Sequence, residues 1–256
     1  VKLAWRVELP SGDGTGKARH DVVLLHGTGS NSQMWERQAK FLASHGHRAF
    51  LIDLRGHGLS PDHSETCGLS EHDADVLETM KEAGVEFPAY FVGHSLGAII
   101  AVSLASKQPE LVKGIFAASL PGKVLPPLPL ALKGFVRGPM QTARSIGLHK
   151  RLGWREKTLL EMKPSVLDDI AHQFADLNFV EKPLPVKCPV HFANGLFDPV
   201  APYWHVLTMH RMLPGSTLKT FRLGGHNFMD AEEHEVNNWL LQHLDSAEKT
   251  SAPHRI

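Results

Sequence analysis

Unbroken apolar runs alternate with stretches of helical period along most of this chain. Val22-Val-Leu-Leu25, entered through Asp21, has the pattern of a strand buried on both faces of a parallel sheet. Arg48-Ala-Phe-Leu-Ile-Asp53, Ala89-Tyr-Phe-Val92, Val112 to Ser119 and Val190-His-Phe-Ala-Asn194 repeat it. Between them, Met34, Trp35, Ala39, Phe41 and Leu42 recur at helical spacing over Gln33 to His45, and Gly46 stops that stretch. Ser70 to Ala83 predicts the next helix, with Ser70 as N-cap ahead of Asp73. Small residues from Ala98 to Ser106 predict another, and Tyr203 to Leu213 and Glu232 to Leu244 the last two, flanking a strand at Thr217 to Leu223. Leu3 to Leu9 alternates as an edge strand does, followed by Ser11 to Gly16, a turn of the kind hairpins use.

This alternation implies an α/β fold, doubly wound around a mostly parallel central sheet with right-handed crossovers. It breaks after Ser119. Pro121 to Pro185 is rich in leucine, proline and basic residues, with helical patches near 131–137, 139–148 and 166–179. So long a stretch is no simple connection. The expectation is a helical lid over 121–185, inserted into a core domain of residues 1–120 and 186–246, with 247–256 as a frayed polar tail.

Composition narrows the function classes. At 256 residues, 42% apolar and 21% charged, the chain suits one globular domain with an insertion. Lys+Arg and Asp+Glu are equal at 27 each, so no bulk field draws it to nucleic acid or an anionic membrane. No apolar stretch approaches the ~20 residues that span a bilayer. The chain opens at Val1 with no signal-peptide pattern, and Cys67 and Cys188 read as reduced thiols, so the expected location is the cytoplasm. Seventeen histidines are scattered singly with no metal-ligand spacing, and neither metal nor cofactor is expected. Gly27-x-Gly29 has Ser32 where a dinucleotide fingerprint has its third glycine, and Gly12-x-Gly14-x-Gly16-Lys17 lacks the P-loop spacing. A dinucleotide oxidoreductase is a rival that nicotinamide or flavin binding would reveal.

The chemistry gathers around Gly93-His94-Ser95-Leu96-Gly97, set between an apolar strand and a small-residue helix. That is the context of a nucleophile elbow, whose strained serine needs small flanking residues. A serine hydroxyl needs a base, and the base an orienting acid. Asp198 follows the strand at Val190, and His226, beside Gly224 and Gly225, follows the strand ending at Leu223, both at strand carboxyl ends where such groups collect. The order Ser95, Asp198, His226 is the one this architecture expects. Leu120-Pro121 offers no acid after the preceding strand, and Asp230, Glu232 and Glu233 suit a helix N-terminus. The N–H of Leu96 and that of Thr28, with Gly29 as fallback, are expected to face a developing oxyanion. Gly29, His94, Trp35, Leu125, Leu128 and Phe228 are candidate substrate-lining residues; Trp35 and Phe228, like Trp154 and Trp204, have no special spacing, which favours core. Asp53-Leu-Arg55-Gly-His57-Gly58 is expected to be structural, with Asp53 and Arg55 tying their loop.

Five features stand in order: His26-Gly27-x-Gly29, Asp53 to Ser60, the elbow, Phe197-Asp198-Pro199 and Gly225-His226. With them the chain resembles the α/β-hydrolase superfamily, near its lid-bearing serine esterases, from Asp21 to Leu244. The resemblance implies Ser–His–Asp hydrolysis of a carboxylic ester or lactone by Ser95, His226 and Asp198. It also implies that the N–H groups of Thr28 and Leu96 form the oxyanion hole, and that the lid lies between the sixth and seventh strands. Dehalogenases and epoxide hydrolases of this fold carry aspartate at the elbow, so Ser95 disfavours both. The apolar lid segment Val124 to Leu132 suggests a small, fairly apolar small-molecule ester. Thioester, amide or carbon–carbon hydrolysis, perhydrolysis, and a ligand receptor with little turnover stay open, because fold does not choose among them.

Overall fold

The structure is a computed structural model that describes residues 1–10, 18–62, 68–123, 134, 136–147, 153–162, 165–167, 169–170 and 177–251. Leu125, Leu128, Cys67 and the turn at Ser11 to Gly16 lie outside these residues.

Seven strands among the described residues form one sheet: β1 (Trp5–Glu8), β2 (Asp21–Leu25), β3 (Arg48–Ile52), β4 (Ala89–His94), β5 (Val112–Ala118), β6 (Val190–Gly195) and β7 (Thr217–Phe221). Their spatial order is β1-β3-β2-β4-β5-β6-β7, with β1 antiparallel and every other pairing parallel. β1 pairs with β3 rather than with β2, the next strand along the chain. The order reverses between β2 and β4, the switch point where open α/β sheets build their sites.

Helices cover both faces. They are α1 (Glu36–Ser44), α2 (Leu69–Glu82), α3 (Leu96–Lys107), α4 (Gln141–Ser145), α5 (Trp154–Glu161), α6 (Tyr203–Met212) and α7 (Glu233–Ser251). Strand side chains alternate between two cores. Val23, Leu25, Phe91, Ile115 and Phe192 pack with α2, α3 and α6, while Val22, Leu24, Val92 and Phe116 pack with α1 and α7. This two-sided burial is why the strands read as continuous apolar runs. Phe116 is fully buried and meets Trp239 of α7 edge to face, with ring centroids 5.4 Å apart. No helix of the described residues is long and apolar enough to cross a membrane.

Three expectations need correction. Ser70 is not an N-cap: α2 begins at Leu69 with Gly68 at the cap, and the Ser70 hydroxyl instead accepts from Lys107. The polar tail is helical as far as Ser251, because α7 continues beyond the last core residue, Leu244. Between β5 and β6, α5 forms at Trp154–Glu161, where no helix was expected; by the count of described strands this interruption follows the fifth.

The packing of α3 against β2 sets the geometry of the switch point. A Cβ on Gly97 would stand 2.3 Å from the Leu25 carbonyl oxygen, so only glycine lets this helix close on that strand. Gly97→Ala should destabilise the fold by about 3 kcal/mol, the upper range for overpacking against backbone. An unchanged urea midpoint would refute that reading.

Candidate active site

Ser95 sits where β4 reverses into α3. Its backbone takes φ 49° and ψ −110°, a strained conformation for a residue with a Cβ. The reversal is held on three sides. The Ser95 N–H donates to the Ala118 carbonyl of β5 at 3.0 Å, the Ile99 N–H donates to the Ser95 carbonyl, and the Gly97 N–H donates to the His26 carbonyl at 3.1 Å. A Cβ on Gly93 would lie 2.4 Å from backbone atoms of Gly97 and Ala98, and one on Gly27 would lie 3.3 Å from the Ser95 Cβ. The small residues of the motif are therefore demanded by contact.

The loop after β2 presents Thr28 beside this turn. Among the described residues, neither the Thr28 N–H nor the Leu96 N–H has a hydrogen-bond partner. The Gly29 N–H is already committed: it donates to His57 Nε2 at 3.2 Å. Thr28 rather than the fallback Gly29 is thus the residue with a donor to offer. Gly29 adopts φ 72°, and a Cβ there would strike Leu159 of α5 at 2.4 Å, so this helix rests directly on the loop. Asn31 Nδ2 also bonds Thr158 Oγ1 of α5 at 3.3 Å.

Two buried imidazoles brace that loop. His57 Nδ1 donates to the Arg55 carbonyl at 2.8 Å, leaving Nε2 to accept from Gly29. His26 likewise accepts from the Leu54 N–H at Nε2, 2.9 Å away, with Nδ1 bonded to the Gly27 carbonyl. Burial pushes His57 down to about 4 and His26 well below its ordinary value. Asp53 accepts from the N–H groups of Ser32 and Leu59, and Arg55 pairs with Asp75 through two bonds of 2.6 and 2.8 Å.

Across the sheet, the loops after β6 and β7 carry Asp198 and His226. A Cβ on Gly195 would lie 2.4 Å from the Gly224 and Gly225 carbonyl oxygens, so the loops after the two strands pack backbone to backbone. His226 Nδ1 lies 3.0 and 2.9 Å from the two Asp198 oxygens. Asp198 Oδ1 also accepts from the Val200 and Ala201 N–H groups at 2.9 and 2.8 Å. Burial pushes the Asp198 carboxyl up, yet His226 and the Ala201 N–H outweigh it, and the group lies below its ordinary value. His226 is linked to the elbow by its own carbonyl, which accepts from His94 Nε2 at 2.9 Å.

Two candidate substrate-lining residues are corrected. Trp35 is fully buried, donating Nε1–H to the Leu25 carbonyl at 3.0 Å, and Phe228 is buried with its ring stacked on Phe221 at 4.2 Å. Both fill the core on the α1 and α7 face. Leu125 and Leu128 lie outside the described residues. Sequence reasoning missed Ser119, the residue after β5, whose Oγ donates to the His226 carbonyl at 3.1 Å. Its signal was faint: a lone serine at a strand end.

Residues 22–239 match the model of the alpha/beta hydrolase family. A pimeloyl-[acyl-carrier protein] methyl ester esterase of Chromobacterium violaceum is 39% identical over 95 residues, covering 37% of this chain and 35% of that protein. The epoxide hydrolase srdG of Neurospora crassa is 36% identical over 105 residues, 39% of this chain and 30% of that one. The chain thus spans about a third of the length of these curated relatives. The crystal structure of the enol-lactonase from Burkholderia xenovorans is similar in fold, with a TM-score of 0.81, 18% identity, and coverage of 95% of this chain and 96% of that one.

The braced loop makes stability depend on pH. Unfolded histidines bind protons below about 6.5, whereas folded His57 resists until about 4. Its contribution is complete above the unfolded value and is lost as pH falls through this window. Unfolding free energy should therefore decline from about pH 6.5 to about pH 4, less steeply in His57→Gln; equal slopes would contradict the assignment.

Proposed function

The chain belongs to the alpha/beta hydrolase family, and on that premise we propose that it is a serine hydrolase of small-molecule carboxylic esters or lactones. The observation that carries this is the pairing of His226 with buried Asp198 in a loop whose carbonyl is bonded to His94, the neighbour of Ser95. Asp198 engages Nδ1, which leaves Nε2 of His226 for proton transfer.

In the proposed reaction Ser95 Oγ attacks the carbonyl carbon while His226 takes the hydroxyl proton. The tetrahedral oxygen gains negative charge, which the Thr28 and Leu96 N–H groups stabilise as preorganised donors. Collapse breaks the bond to the alcohol oxygen, which receives the proton from His226. His226 then takes a proton from water, the resulting hydroxide attacks the acyl carbon, and His226 gives that proton to Ser95 Oγ as the acyl–serine bond breaks. Asp198 holds the tautomer and offsets the charge of the imidazolium. The insertion helix over the Thr28 loop supports the reading of this segment as a lid.

Ester or lactone cleavage is preferred because the esterase and the enol-lactonase are named for it. The epoxide hydrolase relative weighs less, since Ser95 places a hydroxyl at the elbow. A panel of p-nitrophenyl esters of increasing acyl length, with a simple lactone, tests the proposal. Ser95→Ala should lower kcat at least about 10³-fold and Asp198→Asn about 10³- to 10⁴-fold. Undiminished turnover by Ser95→Ala, or saturable binding without turnover in the wild type, would overturn it.

A further inference from the structure

Two unfavourable features converge on one atom. Ser119 adopts φ 50°, and Ser95 is the other described residue besides glycine with positive φ. A side chain pays for that conformation in strain, so a persistent instance needs a reason. His94 is buried with Nδ1 lacking a hydrogen-bond partner among the described residues, a poor arrangement for a side chain that merely fills space. Both residues donate to the His226 carbonyl, Ser119 Oγ at 3.1 Å and His94 Nε2 at 2.9 Å.

A carbonyl only accepts, so the His94 proton is on Nε2. Burial also lowers the affinity of His94 for a second proton, keeping the ring neutral. The two donors come from different strand ends. His94 closes β4 next to Ser95, and Ser119 follows β5, anchored by its own N–H on the Ala193 carbonyl of β6 at 2.9 Å. The rings of His94 and His226 lie 4.6 Å apart, centroid to centroid.

We propose that His94 and Ser119 form a clamp on the His226 carbonyl, as positioning residues that fix the imidazole between Ser95 and Asp198. The clamp rests on the serine-hydrolase reading. Asp198 grips the ring at Nδ1 but leaves the backbone of the loop free to shift; the clamp removes that freedom. Misplacing a proton-transfer group by about 1 Å costs on the order of 100-fold in rate.

The test uses p-nitrophenyl ester kinetics together with the proton NMR resonance of the His226 Nδ1–H, identified by its loss in His226→Gln. Ser119→Ala and His94→Phe should each lower kcat about 10- to 100-fold with little change in KM. His94→Gln, which still carries a donor, should recover most of the rate. Ser119→Gly should melt no lower than Ser119→Ala, because glycine accepts the positive φ, yet remain as slow. In both Ser119→Ala and His94→Phe the resonance should shift or broaden without substrate present. Wild-type kcat in these variants, or an unmoved resonance in both, would overturn the clamp. Absence of any Ser95-dependent hydrolysis in the wild type would instead sink the hydrolase reading, and the resonance alone would then decide the clamp.

Discussion

At the end of β4 the chain leaves the sheet and returns as α3 within a single residue, and Ser95 accepts φ 49° to let it do so. That reversal is affordable only because the backbones around it approach without side chains in the way. Gly97 lies against Leu25, Gly93 against the first turn of α3, and Gly27 against the His94 ring and the Ser95 Cβ. The same approach presents the Leu96 N–H at the helix start and the Thr28 N–H on the neighbouring loop with no partner among the described residues. A strained serine, two open donors and the switch point of the sheet are thus consequences of one packing constraint. The strain is offset by the bonds that Ser95 makes to β5 and α3.

Histidine serves here mainly as a neutral polar brace. His26 and His57 accept backbone N–H groups with one nitrogen while the other bonds a carbonyl, and His94 donates to the carbonyl of His226. Burial lowers the proton affinity of all three. An imidazole suits such positions because a single planar side chain offers both a donor and an acceptor at its edges. The cost is sensitivity to acid, since a proton on the accepting nitrogen would replace an acceptor with a second donor.

Much of this was legible in the chain. The strands β2 to β6 stood out because both sheet faces are covered, which erases the polar alternation, and Ser95, Asp198 and His226 stood out because each follows a strand expected from the pattern. What escaped depends on contacts distant in sequence. Trp35 and Phe228 look like pocket residues by type, but the neighbours that bury them, Leu25 and Phe221, are chosen by the fold. Ser119 carries no local pattern; its position matters because the His226 loop, 107 residues onward, ends beside it. Gly29 stood as the fallback donor to Thr28, and only the fold shows that His57, from another strand end, claims its N–H. The α5 helix went unread because Trp154 to Glu161 is mostly polar and gives no periodic apolar face.

The proposed hydrolysis turns on covalent acylation of Ser95. Intact-mass spectrometry of the wild type with a p-nitrophenyl ester, acid-quenched from milliseconds onward with Ser95→Ala alongside, reads this step. Protein heavier by one acyl group is expected, with the added mass on the peptide containing Ser95 and none in Ser95→Ala. Hydrolysis of the ester with the wild-type mass unchanged at every quench time, or with the acyl group on another residue, would contradict it.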